Sequence, residues 1–386
     1  MMQNFEFYNP TRIIFGTATI ARLADCVPAN ARVLVLYGGA SASKNGTLAE
    51  VRAALGTRVV QEFGGIEANP SYETMMRAVE QVRREKLDFL LAVGGGSVID
   101  GTKFVAAAVG FDGDPWDILL KHGRNVTSAL PFGTVLTLPA TGSEMNCGSV
   151  IMRKATQAKF AFMSAHVFPQ FSILDPTRTY SLPPGQIANG IVDAFVHIVE
   201  QYLTYPAQAM AQDRFAEGLL QTLIEVGPQA LEKPDDYDLR ANLMWVASLA
   251  LNGLIGAGVP QDWATHMIGH EITALYGVDH ARTLAIVLPS LLTVQREQKR
   301  AKLLQYADRV WHITEGDEEQ RIDEAIRRTR QFFEAVGIKT HLSDYELGRE
   351  AITAIVAQLE AHGMTALGEH RNITPALARR ILESAL

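Results

Sequence analysis

Phe89-Leu-Leu-Ala-Val93 runs straight into Gly94-Gly95-Gly96-Ser97, and Val98-Ile-Asp-Gly-Thr-Lys-Phe104 follows in helical period. A short, unbroken apolar run closed by glycines reads as a strand buried on both faces, and the register then changes from strand to helix. Upstream, Tyr72 to Lys86 repeats apolar residues at helical spacing, and Arg32-Val-Leu-Val-Leu-Tyr37 is a second buried strand ended by Gly38-Gly39. Downstream, Thr134 to Leu138 and Phe171 to Leu174 read as further strands. Strands alternating with helices predict βαβ units and a parallel sheet. After Leu182-Pro183-Pro184 the texture changes: Gln186–Tyr202, Ala207–Val226, Leu239–Leu254 and Asp323–Val336 carry helical period. Pro184 stands where a first-turn proline is tolerated. The expected architecture is α/β plus all-α. Residues 1–180 form a Rossmann-like, parallel-sheet domain and residues 181–386 a helical domain, and ligands in such proteins favour the cleft between domains and the C-terminal ends of the parallel strands.

The 386 residues suit two domains, and 47% hydrophobic against 20% charged residues supports a large core. The net charge is −7, and no basic run stands out, which argues against nucleic acid and anionic membrane surfaces. Two cysteines, Cys26 and Cys147, give neither a disulfide framework nor a zinc ribbon. No signal-peptide or membrane-span pattern is visible, so the expected location is the cytoplasm.

Two turns and one histidine constellation carry the chemistry. The glycines of Gly94–Ser97 let backbone approach a phosphate, and the following helix offers unpaired N–H groups with a positive dipole end. The run is not G-x-G-x-x-G, and a tight strand-to-helix turn without a ligand would also account for it. Pro139-Ala-Thr-Gly-Ser-Glu144 is a second polar turn, able to face a phosphate or to cap a helix. Asp193 and His197 are four apart in a helical pattern, as are His266 and His270, and His280 follows the Gly277 turn. Each pair projects from one helix face, and neutral imidazoles with a carboxylate suit Zn²⁺ or Fe²⁺. The H-x-x-x-H run has Met267 after its first histidine, so a zinc-protease helix is disfavoured.

Together these features resemble the iron-containing (group III) alcohol dehydrogenases, from end to end. Asn9-Pro-Thr-Arg-Ile-Ile-Phe-Gly16 is similar to that family's N-terminal strand, Gly94-Gly-Gly-Ser-x-x-Asp100-x-x-Lys103 to its phosphate turn, and Thr141-Gly-Ser-Glu144 to its T-G-S-E. Within the family the chain looks most like the bacterial NADPH-dependent broad-specificity aldehyde reductases, or butanol dehydrogenases. The resemblance implies that the first domain binds a dinucleotide and the helical domain a metal, with the active site in the cleft. It implies Asp193, His197, His266 and His280 as metal ligands and His270 as a non-ligand near nicotinamide and substrate. It implies Gly38, Gly39, Ser41, Gly94, Gly95, Gly96, Ser97, Asp100, Thr137, Thr141 and Lys159 as cofactor contacts, and a homodimer. Two departures affect local loop shape: Asp279-His280-Ala281 replaces Pro-His-Gly, and Ala140 replaces the first glycine of G-T-G-S-E.

The coenzyme expectation is NADP(H). A carboxylate after the first strand would bond the ribose hydroxyls and repel a 2′-phosphate, whereas here Gly38-Gly39-Ala40-Ser41 offers small residues, with Ser43 and Lys44 beside them. One divalent metal, Fe²⁺ or Zn²⁺, is expected, with an aldehyde or alcohol as substrate. Met145, Leu254 and Ile255 are candidate pocket residues. The alternatives are a dehydroquinate-synthase-like or glycerol-dehydrogenase-like enzyme of the same superfold, or a metal hydrolase. The first of these needs a Lys/Arg cluster, and only Arg282 stands beside the histidines.

Overall fold

In the computed structural model, which describes residues 1–39 and 41–386, the chain divides into two compact units. One comprises Tyr8–Leu182 and Pro234–Ser248; the other comprises Met1–Phe7, Pro183–Lys233 and Leu249–Leu386. Ala40, part of the proposed coenzyme turn, lies outside the described residues.

The first unit is built on strands β1 (Arg12–Phe15), β2 (Arg32–Tyr37), β3 (Val59–Phe63), β4 (Phe89–Gly95), β5 (Phe132–Leu138), β6 (Gly148–Arg153), β7 (Ala158–Met163) and β8 (Phe171–Leu174). Its helices are α1 (Leu23–Cys26), α2 (Ser41–Lys44), α3 (Thr47–Leu55), α4 (Tyr72–Glu85), α5 (Gly96–Ala108) and α6 (Trp116–Leu120). Six strands form one sheet in the order β1-β8-β5-β4-β2-β3, every pairing parallel, and β6 and β7 form a separate antiparallel hairpin.

Alternation along β2 and β4 explains their apolar continuity. Leu34, Leu36, Leu90 and Ala92 pack on one face with Met75, Val79 and Phe104, and Val33, Val35, Leu91 and Val93 pack on the other with Leu48, Val51 and Leu55. A strand covered by helices on both sides has no polar face, and each such side chain contributes roughly 1.5–3 kcal/mol on burial.

The bounds of β2 and β8 are those read from the sequence, but the glycine run differs. Gly94 and Gly95 still belong to β4, and α5 begins at Gly96, so strand and helix meet with no loop between them. A Cβ at Gly94 would sit 2.5 Å from Val98 Cγ2, one at Gly95 2.9 Å from Leu138 Cβ, and one at Gly96 2.4 Å from Thr141 Oγ1. The junction is tight enough that only glycine fits at all three places. Sequence reading missed β3 and the β6–β7 hairpin. β3 is a partly exposed edge strand interrupted by Gln61 and Glu62, which leaves no clear apolar run.

The second unit is helical, with α7 (Pro184–Tyr202), α8 (Met210–Glu232), α10 (Ala264–Tyr276), α11 (His280–Val294), α12 (Arg296–Arg309), α13 (Glu318–Ala335), α14 (Arg349–Ala361) and α15 (Pro375–Glu383). Helix α9 (Tyr237–Ala250) falls mostly in the first unit and ends short of the predicted Leu254. Pro184 occupies the first turn of α7, where its missing N–H costs nothing. From Ile191 to Tyr202 α7 is buried all round, which makes it the central helix of this unit. No helix among the described residues is long and apolar enough to cross a membrane.

Candidate active site

Because β2, β4 and β5 are parallel neighbours, Gly38-Gly39, Gly94–Ser97 and Pro139–Glu144 emerge side by side at one edge of the first unit's sheet. This C-terminal edge is where open α/β sheets bind ligands. Gly38 is held by the neighbouring turn: its carbonyl accepts from Gly65 N at 2.8 Å, and Ile66 N donates to Tyr37 O at 3.2 Å. A Cβ on Gly39 would meet no atom within 4 Å. Ser41, Ser43 and Lys44 are exposed on α2.

Behind these turns lies a closed polar network. Lys103 Nζ, fully buried, donates to Ser143 Oγ (2.8 Å), Asn146 Oδ1 (2.9 Å) and Gly148 O (2.7 Å). Asp100 accepts from Ser143 Oγ (2.6 Å) and Val150 N (2.9 Å). Burial pushes the Lys103 ammonium down to about 8 against the opposing pull of Asp100, and burial raises the Asp100 carboxyl. The structure therefore turns the Asp100 carboxylate into protein, where it ties α5 to the second turn and the hairpin. Lys159, buried on β7, adds its positive charge near Asp100. Ser97 Oγ accepts from Asn69 N at 3.3 Å, Thr141 Oγ1 accepts from Ser143 N at 3.2 Å, and Thr137 is half-buried near the end of β5. Glu144 is buried, its carboxylate bonded by Ser248 Oγ and its backbone carbonyl by Ser172 Oγ at 2.6 Å.

The second unit brings the predicted aspartate and histidines together. Asp193 and His197 lie one turn apart on α7, and His266 and His270 one turn apart on α10. Gly277, at φ +70°, ends α10, so that His280 opens α11. Asp193 Oδ1 lies 3.7 Å from His197 Nε2, 4.0 Å from His266 Nε2 and 3.7 Å from His280 Nε2. The donor atoms of Asp193, His266 and His280 are all within 4.8 Å of one another. The His197 ring stacks on that of His266, with centroids 4.7 Å apart. His270 closes the group, its ring 5.0 Å from that of His280 and perpendicular to that of His266.

Asp193 Oδ1 is buried and accepts no hydrogen bond. A carboxylate oxygen facing three imidazole nitrogens without a donor is a costly arrangement, which a cation relieves. Ligands about 2.1 Å from a shared ion stand roughly 3.4 Å apart in tetrahedral geometry, so small side-chain rotations complete the sphere. Three nitrogens and one oxygen suit Fe²⁺ or Zn²⁺.

One residue of this cluster escaped sequence reading. Glu200, fully buried on α7, accepts from Thr265 N at 2.6 Å through Oε1, and its Oε2 is bonded to His266 Nδ1. Burial and the Asp262 carboxylate push the Glu200 carboxyl up, while the Thr265 amide and the His197 imidazole pull it down. The signal was available: Glu200 falls seven residues after Asp193, on the face that also holds His197. Asp262 donates its amide to Glu200 O at 2.9 Å and accepts from the N–H of Ala264, the first residue of α10, at 3.1 Å, and Lys299 Nζ pairs with it at 2.9 Å. Trp263, the N-cap residue of α10, takes φ +63°, which costs a non-glycine residue of order 1 kcal/mol or more. Its indole packs edge-on against His197 and His266, centroids 6.2 and 5.3 Å away.

Of the candidate pocket residues, Leu254 and Ile255 line a cavity of about 310 Å³ with Arg214, Phe215 and Leu219. That cavity takes no residue from α10 or α11, and Met145 is not among its lining.

Residues 10–176 match the model of the iron-containing alcohol dehydrogenases, and residues 187–386 match that family's C-terminal model. The chain is 61% identical over 386 residues to the NADPH-dependent aldehyde reductase YqhD of Escherichia coli (strain K12), covering 100% of both chains. It is 39% identical over 391 residues to a probable NADH-dependent butanol dehydrogenase of Bacillus subtilis (strain 168), again covering 100% of both. A solved substrate- and cofactor-free form of the E. coli aldehyde reductase superposes with a TM-score of 0.94 at 60% identity, with 100% of each chain covered. With two matched models spanning nearly its whole length, a parallel sheet, and an aspartate and histidines gathered on helices, this chain belongs to the iron-containing alcohol dehydrogenase family.

Proposed function

We propose that this chain is an NADPH-dependent reductase of short-chain aldehydes, of broad specificity, acting at one divalent metal, Fe²⁺ or Zn²⁺. The observation that carries the reading is the Asp193 Oδ1 atom, buried, without a hydrogen bond, and facing the Nε2 atoms of His197, His266 and His280. When bound, the metal supplies Lewis acidity to a carbonyl or alcohol oxygen, and the nicotinamide supplies the hydride. Asp193, His197, His266 and His280 would hold the ion, and the carboxylate would offset part of its charge. His270 lies against His280 and is the group placed to move the final proton, directly or through water. Gly94–Ser97 and Thr141 offer backbone N–H and hydroxyl groups to the pyrophosphate, and the start of α5, a 13-residue helix, adds its dipole. Thr137 and Lys159 complete the cofactor side of the reading.

The coenzyme preference rests on the turn after β2. No acidic residue occurs from Gly38 to Lys44, and the space beyond Gly39 is open. A 2′-phosphate fits there without repulsion, with Ser41, Ser43 and Lys44 as partners. The relatives differ in name on this point, one NADPH-dependent and another NADH-dependent. The reading includes a homodimer joined through the N-terminal segment, whose Phe5, Phe7 and Tyr8 are exposed. It also includes a cytoplasmic location, in keeping with the free thiols Cys26 and Cys147.

Initial rates of butyraldehyde reduction, measured with NADPH and with NADH on enzyme assayed for metal, test the reading. Fast turnover with NADPH and slow turnover with NADH is the expected result. Turnover with neither coenzyme at full metal occupancy contradicts it. Light scattering of the purified protein checks the dimer.

A further inference from the structure

We infer that Glu200 is a positioning residue that fixes which nitrogen of His266 carries the proton, and thereby makes Nε2 of that histidine able to bind a metal. The inference rests on the metal-centre reading above. It begins from two contacts. Glu200 Oε1 receives the backbone N–H of Thr265 at 2.6 Å, and Glu200 Oε2 is bonded to His266 Nδ1. Both partners leave from the first turn of α10, and all three residues are buried.

An amide N–H is only ever a donor, so Oε1 must accept. Between Oε2 and Nδ1 the single proton has two possible homes. On Nδ1, the imidazole donates to the carboxylate and Nε2 presents its lone pair toward Asp193 Oδ1, 4.0 Å away. On Oε2, Nδ1 accepts, the ring stays neutral only by taking a second proton from solvent on Nε2, and that hydrogen blocks coordination. Only the first arrangement makes His266 a ligand, and it requires two acceptor oxygens at position 200. Carboxylate-to-histidine bonds of this kind orient ligating imidazoles and raise their basicity.

Position is as constrained as charge. Glu200 O receives Asp262 N at 2.9 Å, and Asp262 is clamped by Lys299 Nζ at 2.9 Å, which also donates to Leu203 O at 2.7 Å and pairs with Glu369 at 2.7 Å. These bonds fasten the end of α7 to the start of α10, so the Glu200 carboxylate and the His266 ring cannot drift apart independently.

The contacts single out an unusual order of variants. In Glu200→Gln the side chain keeps its size but offers one acceptor and one donor to two donors. With its oxygen on Thr265, its amide donates to Nδ1 and holds Nε2 protonated. Flipped, its amide opposes the Thr265 N–H. In Glu200→Ala a water can accept the Nδ1 proton, so the correct tautomer survives although packing is lost. A merely structural role predicts that alanine is the worse change for every property. The tautomer role predicts that glutamine is the worse change for metal affinity alone.

The experiment is a competition between a chelator and the metal-free protein for Zn²⁺ and for Co²⁺, with the melting temperature of each metal-free variant recorded alongside. The expected result is a Glu200→Gln affinity about 10- to 100-fold below wild type, with Glu200→Ala between the two and Glu200→Ala the less stable fold. The visible Co²⁺ spectrum of Glu200→Gln should lose a nitrogen ligand's signature. Equal affinity of Glu200→Gln and wild type, or an alanine variant weaker than the glutamine variant, overturns the inference. Should either variant fail to fold, ¹⁵N imidazole shifts of the metal-free wild-type protein decide the matter: His266 protonated on Nδ1 supports it, and protonated on Nε2 overturns it. A wild-type protein that binds neither metal, or a His280→Ala variant that binds both undiminished, contradicts the metal-centre reading instead.

Discussion

The two polar clusters of this molecule, one behind the glycine turns and one among the histidines, are buried to similar depth and differ in closure. In the first, Lys103, Asp100, Ser143, Asn146 and the hairpin backbone satisfy one another, donor to acceptor, within 2.6–2.9 Å. In the second, Asp193 Oδ1 has no donor, though three imidazoles surround it. A closed network needs no ligand and stiffens what it underlies. An open one, short of a positive charge, is a place where a bound cation would be stabilising. Burial and charge alone do not separate the two clusters; a carboxylate oxygen without a donor and faced by three imidazole nitrogens does.

The largest effect expected from this contrast is at the open cluster. Replacing Asp193 or His280 with alanine should remove the metal and its Lewis acidity, on the order of 5 kcal/mol of barrier lowering and so several thousandfold in turnover. NADPH binding, followed by fluorescence titration, should persist in both variants. Retained metal and full rate in either would show that the cluster is not open in the sense argued.

At the closed cluster the expectation is reversed. Lys103→Met leaves the Ser143, Asn146 and Gly148 oxygens without their common donor and the buried Asp100 carboxylate without its neighbouring positive charge, and stability should fall by about 3 kcal/mol or more. Chemical denaturation would measure it, and metal affinity should stay at the wild-type value. A stable Lys103→Met protein with altered metal binding would erase the distinction between the clusters.

Smaller changes sharpen the picture of the turn itself. Gly96→Ala places a Cβ 2.4 Å from Thr141 Oγ1, an overpacking that should cost about 1–3 kcal/mol and weaken NADPH binding. Adding Thr141→Ala should restore part of the stability, and a double-mutant cycle reads the coupling. At Gly39, by contrast, a side chain has room. Gly39→Asp should leave stability nearly unchanged while setting a carboxylate beside the 2′-phosphate, a repulsion of about 1–4 kcal/mol between solvent-screened charges. The ratio of kcat/KM for NADPH over NADH should drop at least about fivefold. An unchanged ratio would remove the β2 turn from the coenzyme site.

Much of this was legible because it is local. β2, β8, α4 and α7 follow from apolar period and from Pro184 and Lys86 at their ends, and the i, i+4 pairs place Asp193 with His197 and His266 with His270 without any tertiary knowledge. The loop-free junction at Gly95–Gly96 was not legible. Its cause is the side chains of Leu138 and Thr141, which reach it from the next strand. Asp100 was implied as a cofactor contact by resemblance, and that its carboxylate bonds Ser143 and Val150 was not legible, because those partners are set by the fold. Nothing in spacing brings α7 to α10, so the meeting of His197 and His266 came from resemblance rather than from periodicity. Glu200 was overlooked because glutamate on a helix ordinarily faces solvent, although seven residues after Asp193 it must share that residue's buried face.

The central claim is that the open cluster is a metal centre built by four side chains. Anomalous diffraction from crystals of the metal-loaded protein, collected at the iron and zinc absorption edges, tests it most directly. One strong peak at bonding distance from Asp193 Oδ1 and from the Nε2 atoms of His197, His266 and His280 is the predicted result. No peak there at full metal occupancy, or a peak that leaves Asp193 unbonded, would contradict it.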